Sequence, residues 1–205
     1  IEELQGFITH TPVLKVAGHG GVCFLHGGYG APQAVATVES IHALGVGQVL
    51  LVGLCGVFAP DIQVGDVVLP PAILSEEGTS LHYKESPGFA QVGPPAGSCL
   101  GGFLQKGGFR VVEEGTVTTD APYRQTFHKE ELWRQQGCVG VDMEASAVVN
   151  LCNYYGMGST VALMASDKHP LHEGDKPWKW GSQDFAARRD SFIEACIAYS
   201  LQGLS

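Results

Sequence analysis

Gln48-Val49-Leu50-Leu51-Val52 is apolar from its second residue to its end. A short run of this kind is typical of a strand covered on both faces of a sheet. Upstream, Pro32 suits a first helical turn, where its missing N–H is no loss. Ala34, Val38 and Ile41 then recur at helical spacing until Gly45 and Gly47 end the segment. Further back, Val22 to His26 reads as a strand stopped by Gly27-Gly28. Downstream, Asp66 to Leu69 reads as another, closed by Pro70-Pro71.

The pattern repeats towards the C-terminus. Residues 84 to 98 are rich in Gly, Pro and Ser and read as a loop, and Arg110 to Thr118 alternates weakly as a strand would. Met143, Ala147, Leu151 and Tyr155 mark one face of a helix ending at Gly156, and Ser159 to Ala165 is a second buried strand. A final helix is expected from Phe185 to Leu201, with Phe185, Phe192, Ile193, Cys196 and Ile197 inward. Strands alternating with helices predict an α/β fold, a mostly parallel or mixed sheet sandwiched by helices. With no internal repeat or linker, residues 1–205 read as a single domain.

Bulk composition narrows the function. Hydrophobic residues make up 44% and charged residues 16%, the balance of an ordinary globular protein. A net charge of −9 argues against a nucleic-acid groove, which needs clustered Lys and Arg. No apolar run approaches the roughly 18 residues of a membrane span. The six cysteines include no CxxC pair; Cys23, Cys152 and Cys196 lie in apolar patterns and read as small buried hydrophobes, in keeping with a reducing, cytoplasmic setting. Ile1-Glu2-Glu3-Leu4 is no signal peptide, and the absent initiator Met suggests residues upstream.

Several short stretches could carry chemistry. Gly27-Gly28-Tyr29-Gly30-Ala31-Pro32 follows a strand and opens a helix, so backbone N–H groups and Tyr29 can reach a ligand. It is a poor dinucleotide fingerprint, because Gln33 stands where a third small residue belongs and no acid follows at about twenty residues. Gly53 to Gly56 ends a strand, where α/β sheets bind ligands; Cys55 there reads as a buried, inert thiol. Asp142 is readable as a charged first helical turn. Glu144 borders an apolar face and needs partners, which vicinal ribose hydroxyls would supply. Asp167 reads either as a turn residue or as a general acid raised by partial burial, with Lys168 opposing the rise if its ammonium turns inward. His169, His172, Glu173 and Asp175 sit around Pro170 and Gly174, a loop-like setting, and no metal site is expected there.

Taken in order, these stretches resemble the nucleoside phosphorylase and nucleosidase superfamily, which includes purine nucleoside phosphorylase, uridine phosphorylase, methylthioadenosine nucleosidase and AMP nucleosidase. The likeness is carried by Gly28-Tyr29-Gly30-Ala31-Pro32, Gly53-Leu54-Cys55-Gly56, Val64-Gly65-Asp66-Val67-Val68, Glu77-Gly78-Thr79-Ser80, Thr118 to Tyr123, Val141 to Ala145, and Ser166-Asp167. It implies a three-layer α/β/α fold around a mixed, partly barrel-like sheet. By position, Met143 would pack on ribose, Glu144 would bind its hydroxyls, and Tyr29 and Gly30 would lie near the sugar. Cys55, Gly56 and Tyr123 would border the base, and Asp167 would be the catalytic acid that protonates a purine ring nitrogen. Glu77 to Tyr83 and Thr118 to Arg124 look more like uridine phosphorylases.

The resemblance implies cleavage of the N-glycosidic bond of a purine nucleoside, with no cofactor and with phosphate as co-substrate. It departs at the nucleophile. Phosphorolytic members carry Arg where this chain has Leu51 and Ser or Thr where it has Leu54; their N-terminal strand and phosphate loop would lie upstream of Ile1. Water as nucleophile is therefore one alternative, and a non-catalytic nucleoside-binding protein another. The implied partners are a small nucleoside or nucleotide and further copies of the chain, as a dimer or trimer of dimers.

Overall fold

A computed structural model describes residues 2–5, 10–93, 99–172, 174–176 and 183–202. Strands β1 (Glu2–Gln5), β2 (His10–Lys15) and β3 (Cys23–Phe24) form a small antiparallel sheet in that order. Then come α1 (Ala31–Ala43), β4 (Gln48–Val57), β5 (Val67–Val68), β6 (Ala72–Glu76), β7 (Phe89–Gln91) and α2 (Cys99–Lys106). The chain continues with β8 (Val111–Val112), β9 (Gly115–Thr119), α3 (Phe127–Gln135), β10 (Cys138–Asp142), α4 (Ala145–Tyr155), β11 (Gly158–Lys168) and α5 (Gln183–Gln202). Strands β4 to β11 make one eight-stranded sheet, ordered β7-β6-β9-β10-β4-β11-β5-β8. Pairing is parallel for β4 with β11 and β9 with β10, and antiparallel for β4 with β10, so the sheet is mixed, as expected.

Alternation along β4 sorts the helices into layers, because successive side chains point to opposite faces. Val49 and Leu51 pack with α1 and α4 through Val35, Val38, Val148 and Leu151. Leu50 packs on the other face with Leu104 of α2 and Phe192 and Cys196 of α5. The helix α3 sets Trp133 against Phe58, Val117 and Val141 near the C-terminal end of β10.

Several expectations are corrected. Strand β4 is not covered on both faces throughout: Leu50 joins the α5 layer, but Val52 and Leu54, on the same face, are 37% and 36% exposed. The stretch Arg110 to Thr118 is two strands far apart in the sheet, β8 at one edge and β9 within it. Part of the expected loop is the edge strand β7. The strand expected over 22–26 shrinks to β3 and lies outside the central sheet. In α5, Phe185, Phe192 and Cys196 are buried as expected, but Ile193 is 41% exposed. Cys152 and Cys196 are buried, while Cys23 is only partly so.

Candidate active site

The C-terminal end of β10 delivers Asp142, Met143 and Glu144 to the start of α4. Glu144 is the N-cap residue, yet its side chain caps nothing. Asp142 does the capping instead: its Oδ2 accepts from Glu144 N–H at 2.9 Å and Ala145 N–H at 2.6 Å, and its Oδ1 from Thr118 Oγ1 at 2.6 Å. Burial pushes the Asp142 carboxyl up to about 6 against the pull of these three hydrogen bonds. Asp142 is thus not in the helix's first turn, where it was expected, but ends β10 and caps α4 from outside, which leaves Glu144 free for other work.

Glu144 reaches across to the first turn of α1, where its Oε1 accepts from Gly30 N–H at 2.5 Å. Gly30 is the N-cap of that helix and sits at φ 79°, a conformation that favours glycine. A carboxylate is at home beside a helix N-terminus. Burial raises the Glu144 carboxyl above its ordinary value, opposed by N–H groups of Gly30 and Met143 and by nearby His26. Tyr29, 82% exposed, meets His26 edge-on at 5.0 Å between ring centres. Gly30, Met143, Glu144 and Tyr29 thus share one corner.

Below this corner the polar chain continues inward. Thr118 Oγ1 accepts from Ser146 N–H, Ser146 Oγ donates to Glu77 Oε1, and Glu77 Oε2 accepts from Ser80 N–H, each at 2.9 Å. All four residues are buried, and each finds its hydrogen bonds inside the protein.

A second group forms across three adjacent strands, where Val141 of β10 pairs with Gly56 of β4 and Gly56 with Asp167 of β11. Between Ala165, which faces Cys55, and Asp167, which faces Gly56, β11 carries Ser166 as a bulge. Asp167 thus lies in a strand and not in a turn. Its Oδ1 is 2.6 Å from Ser166 Oγ, and its Oδ2 is 3.1 Å from His169 Nε2. On the other side of the ring, His169 Nδ1 is 2.7 Å from Oε1 of Glu130, a buried residue of α3. Gly56 makes room for this ring: a Cβ there would collide with His169 Nε2 and crowd Asp167 Oδ2.

The electrostatics of this group overturn one expectation. Burial does push Asp167 up, but hydrogen bonds from His169 and Ser166, with the charge on His169, outweigh it and hold the carboxyl below its usual value. Burial likewise disfavours a charged His169, yet Asp167 and Glu130 together lift the imidazole to about 9. Lys168 takes no part, because its Nζ turns to the Pro60 carbonyl at 2.6 Å. Cys55 is 2% exposed, and burial, then Asp142 and Asp167, push its thiol far above the ordinary range, so it stays protonated.

Cys55, Gly56 and Asp167 come together as the sequence suggested. Tyr123 stands apart on a 3-10 turn, 99% exposed, with no hydrogen bond or ring contact to either group among the described residues. Glu130 and the carboxylate-bridging role of His169 were not foreseen. Thr126 at the N-cap of α3 and Gly137 beyond its end signal that helix, but nothing local points Glu130 at a residue 39 positions on. The backbone N–H of His172 donates to Asp175 Oδ2 at 2.9 Å, and Glu173 lies outside the described residues. Among the described residues no cluster of three or more His, Cys, Asp or Glu is arranged to hold a metal ion, and no helix is long and apolar enough to cross a membrane.

The family model described as the phosphorylase superfamily matches residues 4–198. Guanosine phosphorylase of Halorubrum lacusprofundi is 29% identical over 130 residues, covering 63% of this chain and 54% of that protein. A DeoD-type purine nucleoside phosphorylase of Clostridium novyi is 28% identical over 148 residues, covering 68% and 61%. One from Caldanaerobacter subterraneus is 27% identical over the same length, with the same coverage. The chain thus spans between 54% and 61% of the length of these relatives.

Proposed function

The chain belongs to the phosphorylase superfamily, and from that premise we propose that it cleaves the N-glycosidic bond of a purine nucleoside with phosphate as acceptor. The observation that carries this reading is the setting of the two acids. Glu144 is held by the start of α1, and Asp167 sits two strands away from the end of β10 that delivers Glu144. In this reading Glu144 binds the ribose hydroxyls with Met143 against the sugar, Cys55 and Gly56 border the base, and Asp167 hands a proton to a ring nitrogen as the bond breaks. Tyr29 covers the sugar side, and Tyr123 reaches the base only if its turn closes. Leaving-group protonation of this kind contributes about 10²- to 10⁴-fold in rate. The relatives' names, guanosine phosphorylase and purine nucleoside phosphorylase, support a purine. No cofactor enters the reaction.

Hydrolysis is the second reading, favoured by one observation: Leu54, beside the site, is 36% exposed and offers no hydrogen bond to phosphate. The test is to incubate the protein with guanosine, inosine, adenosine, methylthioadenosine, AMP and uridine, with and without phosphate. Phosphate-dependent release of a purine base, with sugar 1-phosphate as co-product, is the expected result. Release without phosphate establishes the hydrolase instead, and no release from any substrate leaves a binding protein.

A further inference from the structure

Asp167 as a proton donor poses a chemical difficulty, since its carboxyl is held ionised by its neighbours. The structure supplies the missing proton next door. His169 bridges two carboxylates, with Nε2 3.1 Å from Asp167 Oδ2 and Nδ1 2.7 Å from Glu130 Oε1. Both ring nitrogens face acceptors, which only the doubly protonated imidazolium satisfies. Three features fix the ring: the His169 N–H bonds the Val57 carbonyl at 2.8 Å, Gly56 leaves space for Nε2, and Glu130 is anchored in α3.

We propose that His169, braced by Glu130, supplies the proton that Asp167 passes to the departing purine. The inference rests on the purine-cleaving reading above. As the bond from the anomeric carbon to the base breaks, its electron pair passes to the purine and a phosphate oxygen bonds the anomeric carbon. A proton moves from His169 Nε2 to Asp167 Oδ2, and Asp167 passes a proton on to the ring nitrogen. His169 is left neutral, still donating Nδ1–H to Glu130, and recovers its proton from solvent. Glu130 is a positioning residue, and His169 acts only through Asp167. The other polar groups nearby do not compete: Lys168 faces the Pro60 carbonyl, Arg134 donates to the Phe58 carbonyl at 3.1 Å, and Cys55 keeps its proton.

A bypass substrate separates this role from a structural one. In 7-methylguanosine the ring nitrogen is already methylated and the base leaves without a proton. The wild type, His169→Gln and Glu130→Gln are assayed on guanosine and 7-methylguanosine with phosphate. Guanosine turnover is expected to fall about a hundredfold in His169→Gln, and less in Glu130→Gln, while 7-methylguanosine turnover is retained in both. Equal loss on the two substrates, or no loss on either, overturns the proposal. A variant-free check uses the wild type alone: the His169 ring, followed by NMR, should carry protons on both nitrogens at neutral pH, and a neutral ring overturns the proposal even if the variants misfold. A wild type that cleaves neither nucleoside strikes the phosphorylase reading itself, and the NMR result still decides whether His169 holds a proton to give.

Discussion

At Asp167, burial and hydrogen bonding pull the carboxyl in opposite directions, and hydrogen bonding wins. A neutral amide would keep most of the shape and lose the proton path. Asp167→Asn is therefore expected to lower kcat on purine nucleosides by about 10²- to 10⁴-fold while ligand affinity changes little, measured by steady-state kinetics beside equilibrium binding. Gly56→Ala tests the neighbouring constraint. Its methyl group meets His169 Nε2, so the ring must leave Asp167; guanosine cleavage should collapse in that variant even where its thermal stability falls only modestly. The two acids were legible because each sits in a short motif beside a strand end. Glu130 was not, because its partner is far along the chain and only packing of α3 brings them together. The direction of the Asp167 shift was also illegible, since it depends on a histidine whose ring orientation no spacing encodes.

The element that carries Glu144 at its start is α4, whose first turn hangs on Thr118 in β9. Thr118 donates to Asp142 and accepts from Ser146 N–H, so Thr118→Val strips two buried partners at once and is expected to cost about 2–4 kcal/mol in chemical denaturation. Two residues earlier in the same strand, Thr116 Oγ1 is buried with no hydrogen-bond partner among the described residues. Thr116→Val should therefore be neutral, or stabilising by about 1 kcal/mol. Equal losses at both positions would contradict the assignment of Thr118 as the support for α4. Elements with long patterns were readable: α1, α4 and the cores of β4 and β11 all lie where apolar periodicity put them. Strands of three to five residues, such as β6, β7 and β10, are too short for a period of two to show. Helix α3 was missed because its sequence, Phe127 to Gln135, is mostly polar, with Trp133 its sole buried apolar residue.

On the scale of the whole molecule, His169 fastens α3 to β11, and the fastening depends on charge. Its folded-state value of about 9 lies above the ordinary 6.5 for histidine. The stability it contributes is thus complete below pH 6.5 and lost as pH rises through about 9, at most about 3 kcal/mol. Melting temperature should therefore decline across that window in the wild type and more gently in His169→Gln; parallel curves would show that the ring carries no such charge. The bulge at Ser166 has a different kind of consequence. Because two residues of β11 stand opposite one of β4, the aim of the acid depends on how many residues precede it in the strand and not on which they are. Conservative swaps along 159–165 leave that aim intact, whereas losing a single codon at 166 would let the ladder close evenly and swing the carboxylate away from His169.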